Sequence, residues 1–347
     1  MLRDARCYSE RHRRRSLVVE HQLPKLRVRV RFSSSAQIFF AGDLLSSCVS
    51  LPATWARWVP HGGVVKQNAP MRLEHAALIA MVTIGAVRGV RRRPAPPFND
   101  LGFTPTHATP VLYLHGINSR VNAFRQNAEY LRNHGYWVWG YDYGDMIAPG
   151  FFGIGNLDEI IDDVAENVDK VLHATGASQV DLIAHSQGGL MAKLYIAAGG
   201  ASKVRRLVAM GANFHGTDLR GRVDRYKPII EGHPRFASVV ATPGAVQQLS
   251  GSPWSLAHAN VPDTDPRVVY TSLYSPADTV VTPNSASILR PVEGADVVNI
   301  DVAESYDGYA PTHALMPRDP VLAELTRWGL ERAVGENAPP RIVWLES

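Results

Sequence analysis

Val180-Asp181-Leu182-Ile183-Ala184-His185-Ser186-Gln187-Gly188-Gly189 sets a short apolar run directly against a serine, with small residues two positions before and two after it. A helical stretch follows. This is the pattern of a nucleophile elbow. A strand that turns at once into a helix holds the serine in a strained conformation, and only small side chains at 184 and 188 let the two arms approach. The hydroxyl is then exposed above the sheet, with the positive end of the helix beneath it.

Working outward from this point, short β-rich runs alternate with helical stretches. Strands are expected at Val111–Leu114, Tyr136–Tyr141, Val180–Ala184, Val204–Met210, Val268–Tyr274 and Val297–Ile300. Helices are expected at Asn122–Asn133, Leu157–Ala174, Gly189–Ala198 and Val321–Val334. Regular alternation of this kind predicts an α/β fold, with a mainly parallel sheet covered by helices on both faces.

A serine hydroxyl needs a base to take its proton and a carboxylate to orient that base, and after an elbow of this type they follow in the order serine, acid, histidine. Asp278 stands in Ser275-Pro276-Ala277-Asp278-Thr279-Val280-Val281-Thr282-Pro283, directly after an expected strand. His313 is the only histidine after it. His215, His233 and His258 come too early in the chain. Asp301 and Asp307, near the segment leading to His313, are alternative carboxylates. Two backbone N–H groups are needed for a developing oxyanion, and Ile117, after the tight turn that Gly116 permits, and Gln187 supply them. His115 is read as a structural support for that turn.

The chain has 347 residues, with 36 Lys+Arg against 32 Asp+Glu, 45% hydrophobic and 20% charged residues. This composition excludes collagen, coiled coil and wholesale disorder. Charge is uneven: residues 1–100 carry 17 Lys+Arg and 6 Asp+Glu, leaving 19 and 26 for the remainder. The expected organisation is a basic, poorly ordered arm over residues 1–97 and one catalytic domain over 98–347. An acidic domain is a poor nucleic-acid groove, so no nucleic-acid partner is expected for it. Both cysteines, Cys7 and Cys48, lie in the arm and leave the domain without a cysteine-based metal site or disulfide. The run Ala76–Val87 is too short to cross a bilayer. With Met71-Arg72 before it, this run is similar to a secretory signal read from an internal start, although Arg88 and Arg91–Arg93 follow where small residues belong. A secreted or membrane-associated location is the favoured expectation.

The run Asp169–Gly216 (DKVLHATGASQVDLIAHSQGGLMAKLYIAAGGASKVRRLVAMGANFHG) resembles the bacterial class 2 lipases, as do Val111–Asn118, Gln247–Trp254 and Tyr270–Pro283. The resemblance covers about residues 108–335 and none of the arm. It implies an α/β-hydrolase fold, with Ser186 as nucleophile, Asp278 as acid, His313 as base, and Ile117 with Gln187 as oxyanion donors. It also implies cleavage of acylglycerols or simpler esters without metal or organic cofactor, by an enzyme in contact with lipid or a membrane surface. Gly144–Leu157 is similar in position to that family's loop over the acyl site, so Phe151, Phe152 and Ile154 are candidate walls for an acyl chain; tucking into the core is the alternative. Ala184 stands where the family usually has glycine. The same residues could serve acyl transfer or thioester cleavage, and an inactive fold kept for binding is the rival from outside enzymology.

Overall fold

Six runs of β-branched and aliphatic residues form a parallel sheet in the computed structural model, which describes residues 97–145, 152–223 and 242–343 and the backbone of 21–23 and 26–28. The strands are β1 (Val111–Leu114), β2 (Val138–Gly140), β3 (Val180–His185), β4 (Val204–Met210), β5 (Val269–Tyr274) and β6 (Asp296–Asp301). They lie in the order β2-β1-β3-β4-β5-β6, and every pairing is parallel. Outside this sheet, His21–Leu23 and Leu26–Val28 pair antiparallel, a short ladder in a stretch where the sequence reading assigned no fold. The apolar run 76–87 and both cysteines lie outside the described residues.

Because successive side chains leave opposite faces of a strand, one apolar run feeds two cores. Leu112, Leu114, Leu182, Ala184, Leu207 and Ala209 face one cluster, and Val111, Tyr113, Ile183, Val208 and Met210 face the other. Four main helices cover these faces: α1 (Arg125–Asn133), α2 (Leu157–Thr175), α3 (Gln187–Ala197) and α6 (Pro320–Glu331), with three short helices between α3 and α6 among the described residues, α4 (Pro243–Gln247), α5 (Pro253–Ala257) and the single turn Val302–Ser305. α2 buries Leu157, Ile160, Val164, Val168 and Val171, a 3–4 spacing that makes one stripe. Asn156 caps its start by accepting from the Asp158 N–H at 3.1 Å, and Gly176 ends it in the left-handed region at φ 70°. Full burial of each such side chain contributes roughly 1.5–3 kcal/mol.

The pairing of β3 with β4 slips at Arg205, where Val180 faces Val204 and Asp181 faces Arg206. The extra residue lies against the fully buried Asp181 carboxylate, with Arg205 Nε 2.9 Å from Oδ1 and Nη2 donating to Oδ2. This ion pair accounts for the one charge in an otherwise apolar strand. The carboxyl ends of β3, β5 and β6 point the same way, so the loops after residues 185, 274 and 301 open on one edge of the sheet.

Candidate active site

Ser186 is the single residue between β3 and α3, and it sits at φ 55°, ψ −130°. Few non-glycine residues adopt this conformation, and it persists only where the surroundings enforce it. The enforcement is visible in the packing. A Cβ at Gly188 would come within 2.3 Å of the Leu114 carbonyl oxygen, and one at Gly116 within 2.8 Å of Ser186 Cβ. The elbow and the turn after β1 therefore touch through their glycines. Ile117 follows Gly116, whose added Cβ would press on Ser186, and Gln187 is the first residue of α3, so both expected N–H donors stand on segments next to the serine.

His313, on the segment after β6, places Nε2 3.0 Å from Ser186 Oγ and Nδ1 2.6 Å from Asp278 Oδ2. Asp278 stands just past β5 and is 4% exposed. Its other oxygen accepts the N–H groups of Val280 and Val281 at 2.8 and 2.9 Å, which fixes the carboxylate plane. A carboxylate only accepts, so Nδ1 carries the ring proton and Nε2 presents a lone pair to the hydroxyl. The three side chains thus form one continuous hydrogen-bonded chain. Asp301 instead accepts from the N–H groups of Ala303 and Glu304 at the start of a short helix, and Asp307 lies at φ 46° farther along.

His115 is fully buried and held at both nitrogens: Nδ1–H donates to the Gly116 carbonyl at 2.9 Å, and Nε2 accepts the Tyr143 N–H at 3.2 Å. The Tyr143 ring stacks on it at 4.0 Å, and the Tyr143 hydroxyl donates to the His115 carbonyl. Burial pushes its pKa below the ordinary histidine value, so it stays neutral and braces the turn. Phe152 and Ile154 are buried, Phe152 edge-on to His115 with ring centres 6.4 Å apart. Phe151 and His233 lie outside the described residues. His215 joins a separate network with Asp263, Arg290 and the Ile288 carbonyl, and His258 stacks on Trp254 at 4.0 Å.

Sequence reasoning missed Gly211, the first residue past β4. A Cβ there would lie 2.7 Å from Met316 Sδ, 3.1 Å from Asp278 Oδ2 and 3.2 Å from His313 Nδ1, and its φ is 53°. The signal was present as a glycine directly after a strand, which marks a close backbone approach. Among the described residues no group of three His, Cys, Asp or Glu side chains is placed to hold a metal ion, and no helix is long and apolar enough to cross a membrane.

A parallel sheet with a serine on the elbow after β3, an acid after β5 and a histidine after β6 defines the α/β-hydrolase fold. Comparison with known proteins agrees. Residues 105–248 match the family described as serine aminopeptidase, S33. A lipase of Bacillus licheniformis, BlEst2 in its propeptide form, superposes with a TM-score of 0.51 at 14% identity, covering 71% of this chain and 54% of that one. An α/β hydrolase from lagoon-sediment metagenome, MGS-MChE2, gives 0.41 at 20% identity over 66% of this chain and 93% of that one. The product of gene lin2722 of Listeria innocua gives 0.44 at 15% identity over 66% and 96%. At 14% identity the likeness to BlEst2 is one of fold.

Proposed function

We propose that this protein is a serine ester hydrolase of the lipase and carboxylesterase kind. The observation that carries the reading is the continuous chain of contacts from Ser186 Oγ through the His313 ring to the Asp278 carboxylate, at 3.0 and 2.6 Å. In this reading His313 Nε2 takes the serine proton as Oγ attacks the ester carbonyl, and Asp278 stabilises the imidazolium that forms. The Ile117 and Gln187 N–H groups receive the oxyanion, each such donor being worth roughly 3 kcal/mol of barrier. The tetrahedral intermediate collapses to an acyl-enzyme as His313 protonates the departing alcohol. Water, deprotonated by the same ring, then releases the acid. Phe152, buried edge-on to His115 beside the turn that carries Ile117, and Ile154, buried two residues on, are the candidate apolar floor of the acyl side.

The lipase among the structural neighbours and the resemblance of residues 108–335 to class 2 lipases support acylglycerols or simpler esters as the substrate class. The match over residues 105–248 favours one second reading, hydrolysis of an aminoacyl amide with the same residues. A panel of p-nitrophenyl esters of graded chain length, an emulsified triacylglycerol and aminoacyl p-nitroanilides separates the two. Turnover of the esters, abolished in Ser186→Ala, is expected. Turnover of the anilides alone would transfer the assignment to the second reading. Work at a lipid surface or outside the cytoplasm is proposed together with the acylglycerol substrate, and fractionation of the producing cells tests it.

A further inference from the structure

His185 is not required by the steric logic of the elbow, for which Ala184 and Gly188 suffice, yet it is 6% exposed and occupied on three sides. Its Nε2 lies 3.0 Å from the main-chain carbonyl oxygen of His313. Its ring centre is 4.5 Å from that of His313, the planes inclined at 42°, and Phe124 closes another side edge-on at 6.4 Å. A carbonyl oxygen has no proton to give, so the His185 Nε2 carries the hydrogen.

We infer that His185 is a positioning residue for the base: it ties the main chain of His313 to the strand that carries the nucleophile, so that both reacting side chains take their position from one element. The segment around His313 needs such a tie. Between the short helix that Asp301 starts and the first residues of α6 it contains only one single turn of 3-10 helix, Met316–Arg318, and the hydrogen bond from His185 joins it directly to the neighbour of Ser186. The contact also demands neutrality, because a protonated His185 would set a second positive charge against the imidazolium formed on His313. The titratable groups facing it are His313 and His115. Burial, then the proximity of these two rings, holds His185 well below the ordinary histidine range.

This inference rests on the reading of Ser186 and His313 as nucleophile and base. Its test uses the full-length chain with p-nitrophenyl butyrate and the variants His185→Leu, His185→Asn and His185→Gln, each also made in His313→Ala. Leu removes the donor and Asn is too short to reach the carbonyl. Both are expected to lower kcat by about 10- to 100-fold with KM within about twofold, because misplacing the base costs turnover and leaves substrate binding alone. Gln, whose amide nitrogen has the reach of Nε2, is expected to recover kcat to within about fivefold of wild type. In His313→Ala none of the three changes should alter the residual rate. Wild-type kcat in Asn, failure of Gln to exceed Asn, or equal losses with and without His313 would each overturn the role. If Leu fails to fold, the Asn and Gln pair decides alone. Undiminished hydrolysis by Ser186→Ala in the same assay would instead sink the parent reading, and this role with it.

Discussion

At the scale of single residues, the proposed mechanism makes Ser186, His313 and Asp278 one unit, so their substitutions should be strongly non-additive. His313→Ala should cost about as much as Ser186→Ala in the wild type and almost nothing once the serine is gone. Asp278→Asn should be milder than either, since the acid touches only the ring and the backbone N–H groups of Val280 and Val281. Steady-state kinetics of the three single variants and of Ser186→Ala combined with His313→Ala checks this. A second prediction concerns a residue with no chemistry of its own. Gly211→Ala places a methyl group 3.1 Å from the Asp278 carboxylate and 3.2 Å from the His313 ring, at a backbone φ that alanine resists. Its kcat should fall by about 10- to 100-fold, as displacements of about an ångström in a catalytic group do. An alanine variant of unchanged kcat would show that the acid and the base have room to spare.

At the scale of elements, α3 carries Lys193 into a buried ion pair with Asp263, Nζ to Oδ1 at 2.6 Å, both side chains 3% exposed. Arg290 Nε at 3.0 Å and His215 Nε2 at 3.2 Å share the second oxygen. The helix that begins after Ser186 is thereby tied to the segments before β5 and before β6. Burial works against ionisation of Asp263, but the hydrogen bonds from His215, Lys193 and Arg290 outweigh it and leave its pKa well below the usual carboxylate value. A depressed folded-state pKa contributes stability that is complete above the unfolded value near 4 and is lost as pH falls below it. Asp263→Asn strands a buried ammonium and should cost about 3–5 kcal/mol near neutral pH. Thermal melts should show that gap narrowing below about pH 4. A gap that stayed constant down to pH 2 would mean that the pair carries none of the acid sensitivity.

The elements most legible in the sequence were those with a strong period or an unbroken apolar run. β1 and β4 fall where the runs placed them, and α2 ends one residue later than expected, at Thr175, where Gly176 stops it. Elements set by long-range contacts were not legible. α4 and α5 are five residues each, opened by Pro243 and Pro253 and too short for a helical period to show. α6 stops at Glu331, three residues earlier than expected. Arg332 turns inward there, fully buried, to donate to Asp296 and to the Tyr270 carbonyl at 2.9 Å. That Ser186, Asp278 and His313 meet was more legible than the elements around them, because the chain order of serine, acid and histidine constrains the choice. What escaped was the supporting packing: Gly211 and the tie from His185 depend on contacts between residues about a hundred positions apart.

On the scale of the whole molecule, the packing around the sheet begins before residue 105, where the family match starts. Phe98 is buried against Tyr113 at 5.5 Å, and Asn99 exchanges hydrogen bonds with Gly140 at 2.8 and 2.9 Å while its N–H reaches the Val138 carbonyl. Residues 97–99 thus complete the edge of the sheet. A chain of residues 95–347 should fold and retain ester hydrolysis, whereas one of residues 105–347 should melt at lower temperature or aggregate. Equal melting temperatures for the two would contradict the assignment of that edge.

The central claim is that Ser186 becomes acylated. The most direct measurement is reaction of the full-length protein with a fluorophosphonate ester, followed by intact mass and peptide mapping. The account predicts one adduct, on Ser186, formed together with loss of ester hydrolysis, slowed by a competing ester substrate and absent from Ser186→Ala. An adduct on another residue with hydrolysis lost, or full hydrolysis by a protein stoichiometrically labelled at Ser186, would contradict it.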